Sequence, residues 1–82
     1  MILSPVQCRM ARAALGWGVR ELASEAKVAI DTVARFERGE ELKERTVEAI
    51  RLALETGGVE FIAENGGGPG VRLKKRPTRK RS

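Results

Sequence analysis

Glu21-Leu22-Ala23-Ser24-Glu25-Ala26-Lys27-Val28-Ala29-Ile30-Asp31-Thr32-Val33-Ala34-Arg35-Phe36-Glu37-Arg38-Gly39 is the stretch that decides the fold. Apolar residues fall at Leu22, Ala23 and Ala26, and again at Val28, Val33 and Phe36. Each half has the spacing of one helix face, with a break of about three residues between the halves. Two short helices joined so tightly cross steeply, and a third element must close a core over their apolar faces. Upstream, Ser4-Pro5-Val6-Gln7 reads as a helix start, with serine at the cap, proline at the first helical position and glutamine three residues after the cap. Leu3 and Cys8 stand where a hydrophobic staple places them, and Gly16 stops the helix after about Leu15. Its inward face is Cys8, Ala11, Arg12 and Leu15. The third helix, after the break, runs from near Ala29 to Glu37, with Gly39 making the turn. Downstream, a helix from about Arg45 to Glu55 carries Val47, Ile50, Ala53 and Leu54 at helical spacing, and Gly57-Gly58 ends it.

Beyond that pair the period changes. Val59-Glu60-Phe61-Ile62 and Val71-Arg72-Leu73 are short β-prone runs around the turn-rich segment 64–70. The expected fold is mainly α: four helices followed by a short C-terminal β-hairpin. Residues 1–56 form the helical domain, 57–73 the ribbon and 74–82 a basic tail. The glycine run lacks the Lys-Ser/Thr and the following helix of a phosphate loop. An isolated two-stranded ribbon is marginal, so this one needs either the helical core or a partner's ribbon.

Composition narrows the function. Eighty-two residues place the core near the lower limit for independent folding. No stretch has the length and apolarity of a membrane span, and the N-terminus lacks a secretory pattern. The single cysteine, Cys8, excludes an internal disulfide and fits a reducing cytosol. With no histidine and one cysteine, neither a zinc site nor a Cys/His nucleophile pair can be assembled; carboxylates alone could still catalyse, but no spacing marks a pair, and no catalytic residue, metal or cofactor is expected. No small-molecule ligand is implied. The net charge of +5 hides a division. Residues 1–73 carry ten Lys/Arg against eleven Asp/Glu, whereas Lys74, Lys75, Arg76, Arg79, Lys80 and Arg81 crowd into the last nine positions with no acid. Any nucleic-acid contact by the globular part must therefore come from local placement. The tail, with almost nothing to bury, is expected to be disordered alone and to act as an electrostatic arm.

The pattern resembles the helix-turn-helix of the lambda-repressor-like (Xre/Cro) family of bacterial and phage regulators. The resemblance rests on Glu21-Leu22-Ala23, an apolar residue in the turn, and the Phe36-Glu37-Arg38-Gly39 close of the third helix. It extends more loosely from about Val6 to Leu54. The run Val59-Glu60-Phe61-Ile62, followed by Asn65-Gly66-Gly67-Gly68-Pro69-Gly70-Val71, likewise looks like a small bacterial Xre subfamily. The resemblance implies a buried ion pair between Arg12 and Glu37. It also implies that the third helix enters the major groove with Ala29, Ile30, Asp31, Thr32 and Arg35 toward the bases. In that setting Arg35 could pair with guanine, and Ile30 or the Thr32 methyl could meet a thymine methyl. Asp31 has two readings, an acceptor for cytosine N4 or a partner for the positive end of its own helix.

Phosphate contacts map to Gly18, Val19, Lys27, Arg38, Lys43 and Arg45. Gly18 and Val19 replace the family's Ser/Asn and Gln, so only backbone N–H groups remain there. Lys27 stands where the family often has glycine, which requires either a negative φ or strain. Glu40, Glu41 and Glu44 work against the basic residues of their loop. Trp17 is expected to take a core role or to staple onto Leu22 rather than to stack on a base. The resemblance implies a sequence-specific regulator of transcription in the bacterial cytoplasm. It would be a repressor, binding double-stranded DNA as a homodimer on an inverted repeat; the exposed edge of the ribbon makes Val59, Phe61, Ile62, Val71 and Leu73 the expected dimerising element. A protein-interaction adaptor or antitoxin-type module with a nucleic-acid-binding tail stays open as the alternative.

Overall fold

The computed structural model describes residues 2–63 and 66–74. Four helices, α1 (Pro5–Leu15), α2 (Val19–Ala26), α3 (Ile30–Glu37) and α4 (Glu44–Gly57), precede an antiparallel hairpin of β1 (Val59–Ile62) and β2 (Gly70–Leu73). The start of α1 follows its sequence signals atom by atom. Ser4 Oγ accepts from Gln7 N–H, and Gln7 Oε1 accepts from Ser4 N–H, both at 3.1 Å. Gly16 closes the helix at φ 70°, a left-handed conformation that costs glycine no side-chain clash.

Leu3, Cys8, Ala11, Leu22, Ala23, Ala26, Val33, Phe36, Ile50, Ala53, Leu54 and Val59 form one buried cluster. Trp17, Leu15 and Val28 pack against it as partly buried neighbours. The indole of Trp17 lies over Gly57: a Cβ there would come within 2.7 Å of the ring. Trp17 thus packs on the margin of the core. Helix α4 is longer than its periodicity suggests. It begins at Glu44 because Lys43 takes the extended cap conformation, and it continues through Gly57 under the indole before Gly58 turns away at φ 125°. Ala29 caps α3 in an extended conformation, and the helix begins at Ile30.

The hairpin pairs Val59 with Leu73, Glu60 with Arg72, Phe61 with Val71, and Ile62 with Gly70. It is docked on its own helices, which changes the reading of its apolar residues. Val59 is fully buried in the common core, and Phe61 and Val71 pack against that core. Val59 is thus withdrawn from the dimer surface expected of it, whereas Phe61 and Val71 keep part of their surface in solvent. Gln7 holds the ribbon from α1. Its side chain is 1% exposed, and its amide donates to Gly70 O at 3.1 Å and Ile62 O at 3.4 Å. A buried amide needs such partners to offset its lost hydration. The far end is tied by Lys74, whose N–H donates to Gly58 O at 2.8 Å and whose ammonium donates to Glu55 O at 3.0 Å. Lys74 is therefore the last residue of the hairpin and not the first of a free tail. Lys75, Arg76, Arg79, Lys80 and Arg81 lie outside the described residues.

Candidate nucleic-acid interface

Helices α2 and α3 meet through Lys27, Val28 and Ala29. Lys27 adopts φ 60°, ψ 45°, the left-handed conformation, and is the one non-glycine residue with positive φ among those described. The turn is fixed by Val28 N–H donating to Ala23 O at 3.0 Å. A side chain in this conformation carries strain that glycine avoids. Lys27→Gly is therefore expected to stabilise the domain by about 1 kcal/mol in chemical denaturation, by relief of strain. A loss of stability would mean that the lysine stem contributes packing that outweighs its backbone cost.

Val33 and Phe36 anchor α3 in the core, and the helix turns its other side outward. Ala29, Ile30 and Asp31 are exposed, while Thr32, Ala34 and Arg35 are half-buried at the margin. Ile30 has 44% of its surface in solvent, a high value for a large aliphatic residue with no neighbour to cover it. No side-chain hydrogen bond caps α3, leaving Asp31 in its first turn as the acid near the positive helix end. The residues expected at the bases do share one accessible face.

Two of the expected contacts are already engaged within the chain. The Arg35 Nε donates to Glu40 Oε1 at 3.0 Å, and Arg38 Nη2 donates to Glu40 Oε2 at 3.1 Å. Glu40 thus bridges the arginine expected to read a base and one expected to hold a phosphate. Arg35 and then Arg38 draw the Glu40 carboxyl below the usual carboxylate range, and Glu40 raises the Arg35 guanidinium in return. All three side chains are solvent-accessible, so water and salt screen the cluster and phosphates can compete for it. Gly18 N–H is similarly occupied. It donates to Glu21 Oε1 at 2.8 Å, so a carboxylate sits where the start of α2 was expected to receive a phosphate. The Val19 side chain packs against the core. Lys27, Lys43 and Arg45 are exposed on the turn and at the start of α4.

Beneath this face lies the Arg12–Glu37 pair. Arg12 Nε donates to Glu37 Oε2 at 2.7 Å and Arg12 Nη2 to Glu37 Oε1 at 2.8 Å, a two-point fork. The side chains are 20% and 8% exposed. Cys8 Sγ donates to the same Oε2 at 3.1 Å, and Arg9 Nη1 donates to Glu37 O at 2.6 Å. A third bond of Arg12, to Trp17 O at 3.2 Å, ties in the loop before α2. Burial raises the Glu37 carboxyl, but the bonds from Arg12 and then Cys8 outweigh it, and the group ends below its ordinary value. Burial, followed by Glu37, pushes the Cys8 thiol far up, which keeps it protonated as a donor.

Sequence reasoning missed Glu21, Glu40, Cys8 and Arg9 as partners. The Gly18-to-Glu21 spacing is that of a half capping box and was readable. The Arg35–Glu40 contact spans the Gly39 turn, where no helical spacing rule applies. Among the described residues no cluster of three or more His, Cys, Asp or Glu could hold a metal, and no helix is long and apolar enough to cross a membrane. Compared with known proteins, the chain matches no protein-family model and no curated protein.

Proposed function

We propose that the chain is a lambda-repressor-like, sequence-specific regulator that reads duplex DNA by placing α3 in the major groove. The observation that carries this reading is the exposed face of α3, with Ile30, Asp31 and Arg35 set on a helix anchored from behind by Val33, Phe36 and the Glu37–Arg12 fork. Small residues at Ala29 and Ala34 let such a helix approach base edges closely. Lys27, Arg38, Lys43 and Arg45 stand ready for the flanking phosphates, which set register but carry no sequence information. Binding requires Glu40 to give up Arg35 and Arg38, an exchange of one exposed carboxylate for phosphates. Glu21 must likewise release the Gly18 amide if that group is to contribute.

The reading includes a homodimer on an inverted repeat, with half-sites about one helical turn apart, acting as a repressor on cytoplasmic DNA. With Val59 committed to the core, the surface left for pairing is the outer part of the hairpin, with Phe61, Ile62 and Val71 half-buried and Leu73 56% exposed. A monomeric mass in sedimentation at tens of micromolar counts against the dimer.

The test is selection from a random duplex pool at about 150 mM salt, using residues 1–74, which keep the Lys74 tie and lack the basic segment. An enriched inverted repeat supports the proposal, and its spacing reports the dimer geometry. Absence of enrichment favours an adaptor, a reading to which the slight acidity of residues 1–73 also points. On a selected site, Arg35→Ala is expected to lower affinity about 10- to 100-fold and to relax specificity at one base pair, with the melting temperature nearly unchanged. Uniform loss across all sequences would reassign Arg35 to a phosphate.

A further inference from the structure

A cleft of about 540 Å3 opens between the N-terminal segment, the end of α3 and the start of α4. Leu3, Phe36, Leu42 and Val47 give it an apolar floor, and Glu40, Glu41, Glu44 and Glu48 form its rim. Two rim carboxylates are satisfied, Glu40 by Arg35 and Arg38, and Glu48 by Arg51. Glu41 and Glu44 have no ion-pair partner among the described residues. The same chain supplies a complement in residues 75–82, which carry five Lys/Arg and no acid, with Pro77 and Thr78 between them. Lysine and arginine can lay aliphatic stems on an apolar floor while their charged ends meet a carboxylate rim.

Length permits the contact. Lys74 is tethered to Glu55 O near the far end of α4. The Lys74 backbone itself is held at Gly58 O, and from there to Glu44 is about 21 Å along the helix at 1.5 Å per residue. Eight extended residues reach about 26 Å.

We propose that the far end of this segment, with Lys80 and Arg81, docks in this cleft of its own chain, and that DNA phosphates compete with the cleft for it. This regulation rests on the DNA-binding reading, but the docking itself does not. Held in the cleft, the basic segment is withheld from indiscriminate phosphate contacts; duplex bound by α3 releases it to add contacts at the cognate site. The apparent affinity of a tail-dependent contact falls by the fraction of molecules in which the tail is free.

The experiment has two arms. In the first, amide NMR spectra of the full chain are compared with those of residues 1–74, without DNA. Docking predicts shift differences concentrated at Leu42, Glu44 and Val47, removed by about 0.5 M salt and unchanged on dilution. Unchanged cleft amides would overturn the proposal, and concentration-dependent shifts would overturn docking within one chain in favour of a second copy. In the second arm, Glu41→Gln with Glu44→Gln, which leaves every ion pair of the described residues intact, is tested on random-sequence duplex. Affinity is expected to rise severalfold in the full chain and much less in residues 1–74. An equal rise in both would show simple relief of repulsion and reject competition. Failure of sequence selection together with cleft shifts would reject the DNA-reading proposal and keep the docking.

Discussion

Phe36→Ala is expected to leave the domain largely unfolded at moderate temperature. The ring is 5% exposed and belongs to the cluster that joins α3 to the rest of the core. Truncating a buried phenylalanine costs about 3–5 kcal/mol, from lost transfer free energy and from the cavity left behind. A chain of this size has on the order of 4–12 kcal/mol to lose. The melting temperature should therefore fall on the order of 20 °C. The site offers little room for repair, because Phe36 also floors the open cleft and water can enter the space its ring vacates. Phe36→Leu, which keeps most of the volume, should lose less than half as much. The neighbouring Arg35→Ala sharpens the test: adjacent residues on one helix should separate cleanly into loss of fold and loss of binding. A small effect of Phe36→Ala in thermal denaturation would mean that α3 is held mainly by polar contacts.

How much of this was readable depended on how local the governing interaction is. Ser4, Pro5, Gln7 and Gly16 set the limits of α1 through contacts three or four residues apart, and the sequence rules for caps describe such contacts. The apolar spacing of Leu22, Ala26, Val33 and Phe36 likewise placed α2 and α3, since burial follows helical period. Val59–Ile62 and its partner strand were found from β-prone residues and the glycine-rich turn.

The docking of that hairpin was not readable. It depends on the Gln7 amide reaching Gly70 O across 63 positions, and Gln7 already had a sufficient local role as a capping residue. For the same reason the sequence points Val59 to a dimer surface: an apolar strand residue needs cover, and composition does not say whose. Composition groups Lys74 with its basic neighbours, although the carbonyl of Glu55 claims its ammonium. At the candidate interface, the positions of Ile30, Asp31 and Arg35 on one face follow from periodicity alone. That Glu40 would hold Arg35 and Arg38 together does not, because the contact needs the particular bend at Gly39.

Removing Arg12 should be the most damaging polar change. Arg12→Ala leaves the Glu37 carboxylate, 8% exposed, with the Cys8 thiol as its remaining side-chain donor. Stranding one member of a buried pair costs about 3–5 kcal/mol, and the residual exposure of Arg12 places this case near 3. The pH dependence identifies the cause. In the native protein the Glu37 carboxyl titrates below its ordinary value, so its share of stability is present above the unfolded pKa, near 4.3, and is lost as pH falls through the lower folded value. Without Arg12 the burial contribution dominates and the folded carboxyl moves up. The sign then reverses: the variant is penalised most at neutral pH, and the gap to the native protein narrows as pH drops toward 4.

Replacing both partners with apolar residues, Arg12→Met with Glu37→Leu, removes the stranded charge and should recover much of the loss, because a buried pair adds little net stability over a packed apolar contact. What the double variant should not recover is the setting of α3. Arg12 also holds Trp17 O, and Glu37 takes four donated bonds from α1 through its side chain and backbone. A stable double variant whose α3 amides exchange faster with solvent would show that the fork orients the candidate reading helix rather than strengthening the core. Full protection of α3 in that variant would assign its orientation to Val33 and Phe36 alone.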